Sequence, residues 1–274
     1  MLDTRKLDGR LDPKLDGKLD LLVDELRRLD RVVIAFSGGA DSAFLAAVAH
    51  RTLGERAHAV TAVSPSLAGA EHDDCRALSA EWGLRWTPVE THEMERAAYR
   101  INDGDRCYHC KSELMDVVAP IATAERATVV LGVNTDDLTD RRPGQKAALE
   151  AGATFPLVAA GFSKADVRAA SRGLGLRTWD KPAAACLASR IPHGTPVSVG
   201  LLSSIDRAEA AMKQLGFRDV RVRHYGETAR IELGVDELAA AIERRTSIVE
   251  AVHAVGYRYV TLDLEGFRSG NLNR

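Results

Sequence analysis

Ser37-Gly38-Gly39-Ala40-Asp41-Ser42 follows Arg31-Val32-Val33-Ile34-Ala35-Phe36, a β-branched and almost wholly apolar run, and leads into apolar residues at helical spacing from Ser42 to His50. The apolar run reads as a buried parallel strand and the segment after it as a helix, so the six residues form a strand-to-helix turn. Two glycines let that turn be tight. Successive N–H groups can then converge on one concavity at the positive end of the helix dipole, which suits phosphate. A Walker loop would supply Gly-Lys-Ser/Thr to reach a γ-phosphate; here Asp41-Ser42 stands in that place, which points to pyrophosphate rather than γ-phosphoryl transfer.

On either side of the turn the pattern is βαβ. Ala57 to Val63 and Leu84 to Val89 read as strands around a helix from Glu71 to Gly83. Lys111 to Ala127 reads as a helix, and Thr128 to Asn134 as a strand ending in Asn134-Thr135-Asp136-Asp137. Polar residues at that end of a strand lie where open α/β sheets bind ligands. Lys146 to Gly152 reads as a short helix and Ser163 as the cap of another, Lys164 to Gly173. A long loop of small residues and prolines, Trp179 to Thr195, follows; loops of that length in compact chains tend to carry function. From Val199 the character changes to a helix up to Gly216, strands at Asp219 to His224 and Ala229 to Leu233, helices within Asp236 to Ala254, and a last strand at Arg258 to Leu264. The fold class is therefore α/β, a doubly wound, mostly parallel, Rossmann-like sheet, joined to a smaller C-terminal α+β domain with an antiparallel hairpin at its centre. Residues 1–17 repeat leucine every fourth position but are interrupted by Gly and Pro, and are expected to be frayed, with helix only from about Lys18 to Leu29. The large domain is placed at 18–195 and the small one at 196–274.

The 274 residues are 45% apolar, enough for a substantial core. A net charge of −2 gives no bulk basic field, which argues against nucleic acid as a partner unless a local patch supplies one. No run approaches the ~18 apolar residues of a membrane span and no signal-peptide core is present, so the chain is expected in the cytoplasm, off the membrane. Four cysteines in such a setting suggest free thiols, metal ligands or catalysis before disulfides.

Three constellations could carry chemistry. Cys107-Tyr108-His109-Cys110 sets two thiols three apart at a helix start, where the dipole favours a thiolate; a redox pair, half a zinc site, two ligands of an iron–sulfur cluster and two idle cysteines all fit. Cys186 stands in the long loop, followed by Ser189 and Arg190, whose cation would favour the thiolate, whereas Cys75 reads as an idle small residue on a helix. Arg221 and Arg223 alternate with valines, so both guanidinium groups leave one face of a strand, a pattern that a solvated edge or a phosphate clamp would produce. Glu209 and Glu232 are candidate metal or substrate carboxylates.

SGGxDS resembles the PP-loop signature of the ATP pyrophosphatases. Taken with Cys107-Tyr-His-Cys-Lys111, Gly132-Val-Asn-Thr-Asp-Asp137, Trp179-Asp-Lys-Pro182, Ala185-Cys-Leu-Ala-Ser-Arg190 and Arg221-Val-Arg223, it makes the chain from Arg31 to Leu233 resemble the LarE family of PP-loop sulfurtransferases. The resemblance implies that ATP adenylates a carboxylate of pyridinium-3,5-biscarboxylic acid mononucleotide, and that sulfur then displaces AMP to give a thiocarboxylate for nickel-pincer nucleotide synthesis. It implies that Ser37, Gly38, Gly39, Asp41 and Ser42 hold ATP with Mg2+, and that Cys186 supplies or relays the sulfur. It implies that Ser189, Arg190, Arg221 and Arg223 cradle the substrate's phosphate, with Glu209 and Glu232 beside them. Other nickel-pincer biosynthesis proteins are implied as partners, and a homo-oligomer through the smaller domain. Some members of the family give up their own cysteine sulfur; others resemble enzymes in which three cysteines hold a 4Fe-4S cluster. Cys107, Cys110 and Cys186 match the second pattern by count and spacing.

Two rival functions remain at this stage. A PP-loop tRNA thiolase would also use CxxC and a distant cysteine, but would carry a basic RNA-binding surface. A non-catalytic nucleotide-binding regulator would keep the glycine turn without needing Asp41, the Cys186 loop or the arginine pair.

Overall fold

The computed structural model describes residues 12–138, 143–182 and 185–268. The repeat before Asp12, Asp140-Arg141-Arg142, Ala183-Ala184 and the tail beyond 268 lie outside the described residues. In chain order the elements are α1 (Pro13–Leu29), β1 (Val32–Ala35), α2 (Ala40–Leu53), β2 (Ala57–Val63), α3 (Gly69–Trp82), β3 (Arg85–Glu90), α4 (Ala97–Ile101), α5 (Arg106–Glu125) and β4 (Thr128–Leu131). There follow α6 (Pro143–Glu150), α7 (Pro156–Ala159), α8 (Lys164–Gly173), α9 (Val199–Gln214), β5 (Arg221–Tyr225), β6 (Thr228–Glu232), α10 (Leu238–Glu243), α11 (Arg245–His253) and β7 (Tyr259–Leu262).

By contact the chain divides into two compact units. The first takes the chain up to Ser64, Glu71–Glu93 and Cys107–Ala184; the second takes Pro65–Ala70, Met94–Arg106 and everything from Ala185 on. The Cys186 loop therefore groups with the second unit, whereas the sequence reading placed it in the first domain. Its carbonyls are bound by side chains of that second unit, as described below.

The first unit is the expected α/β sheet, with strand order β3-β2-β1-β4 and every neighbouring pair parallel. The central strands β1 and β4 are apolar on both sides because helices cover both faces, whereas β3 at the edge carries Arg85 and Glu90. Ile34 and Ala59 share one core with Leu22, Leu26, Phe44, Leu78 and Phe162, and Val33 and Val60 share another with Met115, Val118 and Ala148. Helix α1 starts at Pro13, five residues before the expected Lys18. Asp12 caps it by accepting from the Lys14 amide at 2.9 Å, and Pro13 sits where no amide partner is needed. The four-residue leucine spacing continues as Leu15, Leu19, Leu22, Val23 and Leu26, a buried stripe that outweighs the single glycine at position 17.

In the second unit β5, β6 and β7 form one sheet in that order. The hairpin β5–β6 is antiparallel as expected, but β7 pairs parallel to β6, so β6 alone is central. One face of this sheet is apolar: Val222, Ala229 and Ile231 pack with Ala208, Met212, Ile248 and Val252 of α9 and α11. The other face carries Arg221, Arg223, Arg230 and Glu232, which the two-residue period of the strands requires. Among the described residues no helix is long and apolar enough to cross a membrane.

Candidate functional site

The turn after β1 has the form its glycines imply. Gly38 adopts φ +68°, and Gly39 caps α2 in extended conformation with no side-chain cap. A Cβ on Gly38 would stand 2.8 Å from Cys75 Sγ, so the small thiol on α3 fills the space beneath the loop. Gly132, just after β4, is needed for a different reason: a Cβ there would stand 2.7 Å from the Ser42 backbone nitrogen, and its absence lets α2 begin against the strand end. The loop's hydroxyls bond inward. Ser42 Oγ accepts from the Ser37 amide at 3.2 Å, lies 3.0 Å from Ser37 Oγ and donates to the Gly39 carbonyl at 3.2 Å. By contrast, the amides of Gly38, Gly39, Ala40 and Asp41 have no acceptor among the described residues. Four consecutive donors at a helix N-terminus form a nest for an anion.

Asp41 stands in the first turn of α2, where Asn134 Nδ2 donates to its Oδ1 at 3.3 Å. Asn134 is fixed in turn, because its Oδ1 accepts from the Asp136 and Asp137 amides at 3.0 and 3.2 Å. The polar end of β4 thus orients the loop's carboxylate, as its position in the sequence suggested. Burial pushes the Asp41 pKa up and neighbouring Asp137 adds to this, while the Asn134 hydrogen bond, Lys164 and Arg168 oppose it. A carboxylate held this way gains from a cation, which fits Mg2+ delivered with a nucleotide.

The sequence reading gave Lys181 no role. Its ammonium donates to the Gly38 carbonyl at 3.1 Å, Glu71 at 2.8 Å and Asp74 at 2.6 Å. The signal available was its place in Trp179-Asp-Lys-Pro182, which spacing alone could not connect to a loop 143 residues earlier. Cys75 is buried, and desolvation pushes its thiol up to about 11, which agrees with a packing role and no chemistry.

Cys107 and Cys110 lie one turn apart at the start of α5, Cys107 exposed and Cys110 half-buried. Residues three apart share a helix face, so both sulfurs leave the same side. Both belong to the first unit, and Cys186 to the second. Among the described residues no group of three or more His, Cys, Asp or Glu side chains is gathered to hold a metal.

In the second unit the half-buried Cys186 precedes a single 3-10 turn, Leu187–Arg190. The loop is suspended by its carbonyls. Arg190 donates to the Ala185 and Cys186 carbonyls at 2.5 and 3.0 Å, Arg106 to Ala188 at 2.8 Å and Arg223 to Ser189 at 2.8 Å. Asn102, itself bonded by Arg106, donates to the Pro192 and Thr195 carbonyls at 2.9 and 2.8 Å. Nothing in the sequence marked Asn102 or Arg106, because each acts on residues some 80 to 93 positions away.

Of the residues expected to cradle a phosphate, Ser189, Arg190 and Arg223 are joined by hydrogen bonds, and the two arginines form ion pairs with the two candidate glutamates. Arg190 meets Glu209 in a buried bidentate pair, Nε to Oε1 at 2.8 Å and Nη2 to Oε2 at 3.0 Å, and Glu209 Oε1 also accepts from the Val222 amide. Glu232, fully buried, accepts from Arg223 and Arg230, each at 2.8 Å. Such pairing compensates charges that burial would otherwise penalise heavily. Arg221 donates to the Val220 carbonyl at 2.7 Å and lies 4.8 Å over the Phe267 ring. Two donors in this cluster are unused: Arg223 Nε and Arg230 Nε are buried and find no hydrogen-bond acceptor among the described residues, though Arg230 Nε lies 3.6 Å from Asp263.

No protein-family model matches the chain. It is 46% identical over 250 residues, covering 90% of the chain and 93% of the relative, to an uncharacterized protein of Synechocystis sp.. It is 36% identical over 254 residues, 92% of each, to the pyridinium-3,5-bisthiocarboxylic acid mononucleotide synthase of Lactiplantibacillus plantarum. An uncharacterized protein of Methanocaldococcus jannaschii is 24% identical over 240 residues, 87% of the chain and 91% of the relative.

Proposed function

Because the chain belongs to the LarE family of ATP-dependent PP-loop sulfurtransferases, we propose that it converts a carboxylate of pyridinium-3,5-biscarboxylic acid mononucleotide into a thiocarboxylate, at the expense of ATP, for nickel-pincer nucleotide synthesis. The observation that carries this reading is the nest of four amides from Gly38 to Asp41, without acceptors among the described residues, with the Asp41 carboxylate on its rim. A nest without a lysine free to follow a γ-phosphate favours attack at the α-phosphorus. There the acceptor's carboxylate oxygen bonds to phosphorus and pyrophosphate leaves. A carboxylate is a poor electrophile; as an acyl adenylate its carbon can be attacked, with AMP as leaving group. Ser37, Ser42 and Gly39 hold the loop's shape, and Asp41 would hold Mg2+, which supplies charge neutralisation at the phosphates when bound.

Sulfur enters through Cys186 in this reading. Arg190, Arg106 and Arg223 hold the peptide groups around it, which fixes where its Sγ emerges. The free Arg223 Nε supports a place for the acceptor's phosphate beside Arg221 and Ser189. Cys107 and Cys110 have the one-face spacing of two thiolate ligands, and with Cys186 would make up the three of a 4Fe-4S cluster that supplies a binding position for added sulfide. No step above depends on it.

The test is product analysis with Mg-ATP and the acceptor: AMP, pyrophosphate and a thiocarboxylate are expected, and ADP with phosphate would overturn the assignment. Mass spectrometry of Cys186 after one turnover then reads the sulfur source. Loss of its sulfur in step with product means sacrifice. An intact Cys186 with repeated turnover on added sulfide, in protein whose brown absorbance disappears on Cys107→Ala, means the cluster.

A further inference from the structure

The lysine that reaches the nucleotide loop from far along the chain has no donor left for a phosphate. Its three N–H groups are taken by the Gly38 carbonyl, Glu71 and Asp74, and its side chain is only 16% exposed. We infer that Lys181 is a positioning residue that aims the loop's central amide at the pyrophosphate, an inference that rests on the PP-loop reading above. In a trans peptide the C=O and N–H point in opposite directions, so whatever fixes the Gly38 carbonyl also fixes the Gly39 N–H on the far side. Gly38, at φ +68°, has no Cβ to hold that plane, and its peptide could otherwise turn over. An ammonium on the carbonyl also polarises the peptide and strengthens the opposed N–H as a donor.

The surroundings are built to keep the ammonium there. Glu71 and Asp74 are three apart on α3 and so face the same side. Arg177 bonds the other oxygen of Asp74 at 2.7 Å and Glu81 at 2.8 Å, so the carboxylate beside Lys181 is itself held by a second cation. Burial alone would lower the Lys181 pKa, but the bonds to Asp74 and Glu71 more than offset it and leave it raised. The segment carrying the lysine is pinned by the Lys181 amide on the Thr178 carbonyl at 3.2 Å, and by Arg172, which lies 4.9 Å over the Trp179 ring. A residue of this kind sets how well phosphates are held without touching them.

The test uses inorganic pyrophosphate and Mg-ATP as probes in titration calorimetry on the full chain, with adenosine as control. Lys181→Met should weaken pyrophosphate and ATP by about tenfold or more and leave adenosine unchanged. Removing the lysine strands two carboxylates, so a second variant carries Lys181→Met, Glu71→Gln and Asp74→Asn together. It should melt near the wild type yet remain weakened for pyrophosphate, which a merely structural role would not produce. Lys181→Arg keeps the charge but not the reach to Gly38, and should weaken pyrophosphate several-fold. Wild-type pyrophosphate affinity in the folded triple variant or in Lys181→Arg overturns the inference while leaving the PP-loop reading standing. A wild-type protein that binds neither probe overturns both.

Discussion

The glycine loop of the first unit and the cysteine loop of the second both present a half-buried reactive side chain, Asp41 and Cys186, but they are held in different ways. Ser37 to Ser42 is closed mostly by its own atoms: two hydroxyls, one carbonyl and a glycine in left-handed conformation, with a single ammonium brought from outside. Ala185 to Thr195 depends instead on Arg106, Arg223 and Asn102 from elsewhere in the unit, and on Arg190, which is itself anchored by Glu209. A loop of the first kind can lose function without losing the fold. A loop of the second kind is part of the core of its unit, so damage to it should appear first as instability.

The largest effect should therefore come from the second loop. Glu209→Ala leaves Arg190 buried without its carboxylate and should destabilise the unit by about 3–5 kcal/mol, read from urea unfolding and from hydrogen exchange across residues 185–195. The double change Arg190→Met with Glu209→Leu should recover much of this; a loss under about 1 kcal/mol in the single variant would break the comparison. Next is Gly38→Ala, where a methyl group meets Cys75 Sγ at 2.8 Å at a positive φ. It should cost about 1–3 kcal/mol in stability and abolish pyrophosphate release from ATP, with circular dichroism showing the fold retained. If stability falls further than in Glu209→Ala, the loops have been ranked the wrong way round.

Asp41 sharpens the contrast through pH. Its folded-state pKa lies above the ordinary 3.8, so ionising it opposes folding: stability declines as pH rises from 3.8 through the folded value, while Mg2+ binding improves over the same interval. Asp41→Asn should flatten both trends, as melting temperature and AMP formation against pH would reveal. The smallest effect is expected at a partly exposed pair. Burial works against ionised Asp166, yet Lys18 at 2.6 Å and the Ser163 hydroxyl and amide hold its pKa down at about 2. Its contribution is present above 3.8 and lost as pH falls through about 2. Lys18→Met should remove less than about 1 kcal/mol at neutral pH, well below the buried Arg190–Glu209 pair.

The same distinction governs what could be read from the chain. The strand, glycine turn and helix at Arg31 to His50 were legible because each is a local pattern, and so was the alternation that makes the sheet parallel. The capping box at Ser163 was legible from one side, and the structure adds that Asp166 returns the bond to the Ser163 amide. Helix α1 was underestimated because glycine and proline were weighed above a leucine spacing that a partner surface makes decisive. The third strand of the second sheet was legible, but not its partner, because parallel pairing of β7 with β6 leaves no mark in either strand. The pairing of Arg190 with Glu209 was not legible, because sequence shows a cation but not which carboxylate, here 19 positions on, will meet it. Lys181 went unassigned for the same reason.

The second unit is assembled from three separated stretches, Pro65–Ala70, Met94–Arg106 and the chain from Ala185 on. During synthesis on a ribosome the first two emerge long before the third. Ser66 can meet Tyr99 through its hydroxyl at 2.7 Å within those early stretches, but its carbonyl must wait for the Leu187 amide. Asn102 and Arg106 can meet each other but leave the tunnel before the Ala188, Pro192 and Thr195 carbonyls that they will bond. The sheet of the first unit can begin to close on its own sequence, but the seat of Cys186 is completed only when the last third of the chain is free. Long-range closure of that sort is slow. A chain begun at Ala185 would carry the cysteine, Arg190, Glu209 and Arg223 yet lack Asn102 and Arg106, which hold the Ala188, Pro192 and Thr195 carbonyls, so the thiol would be present with only part of its setting.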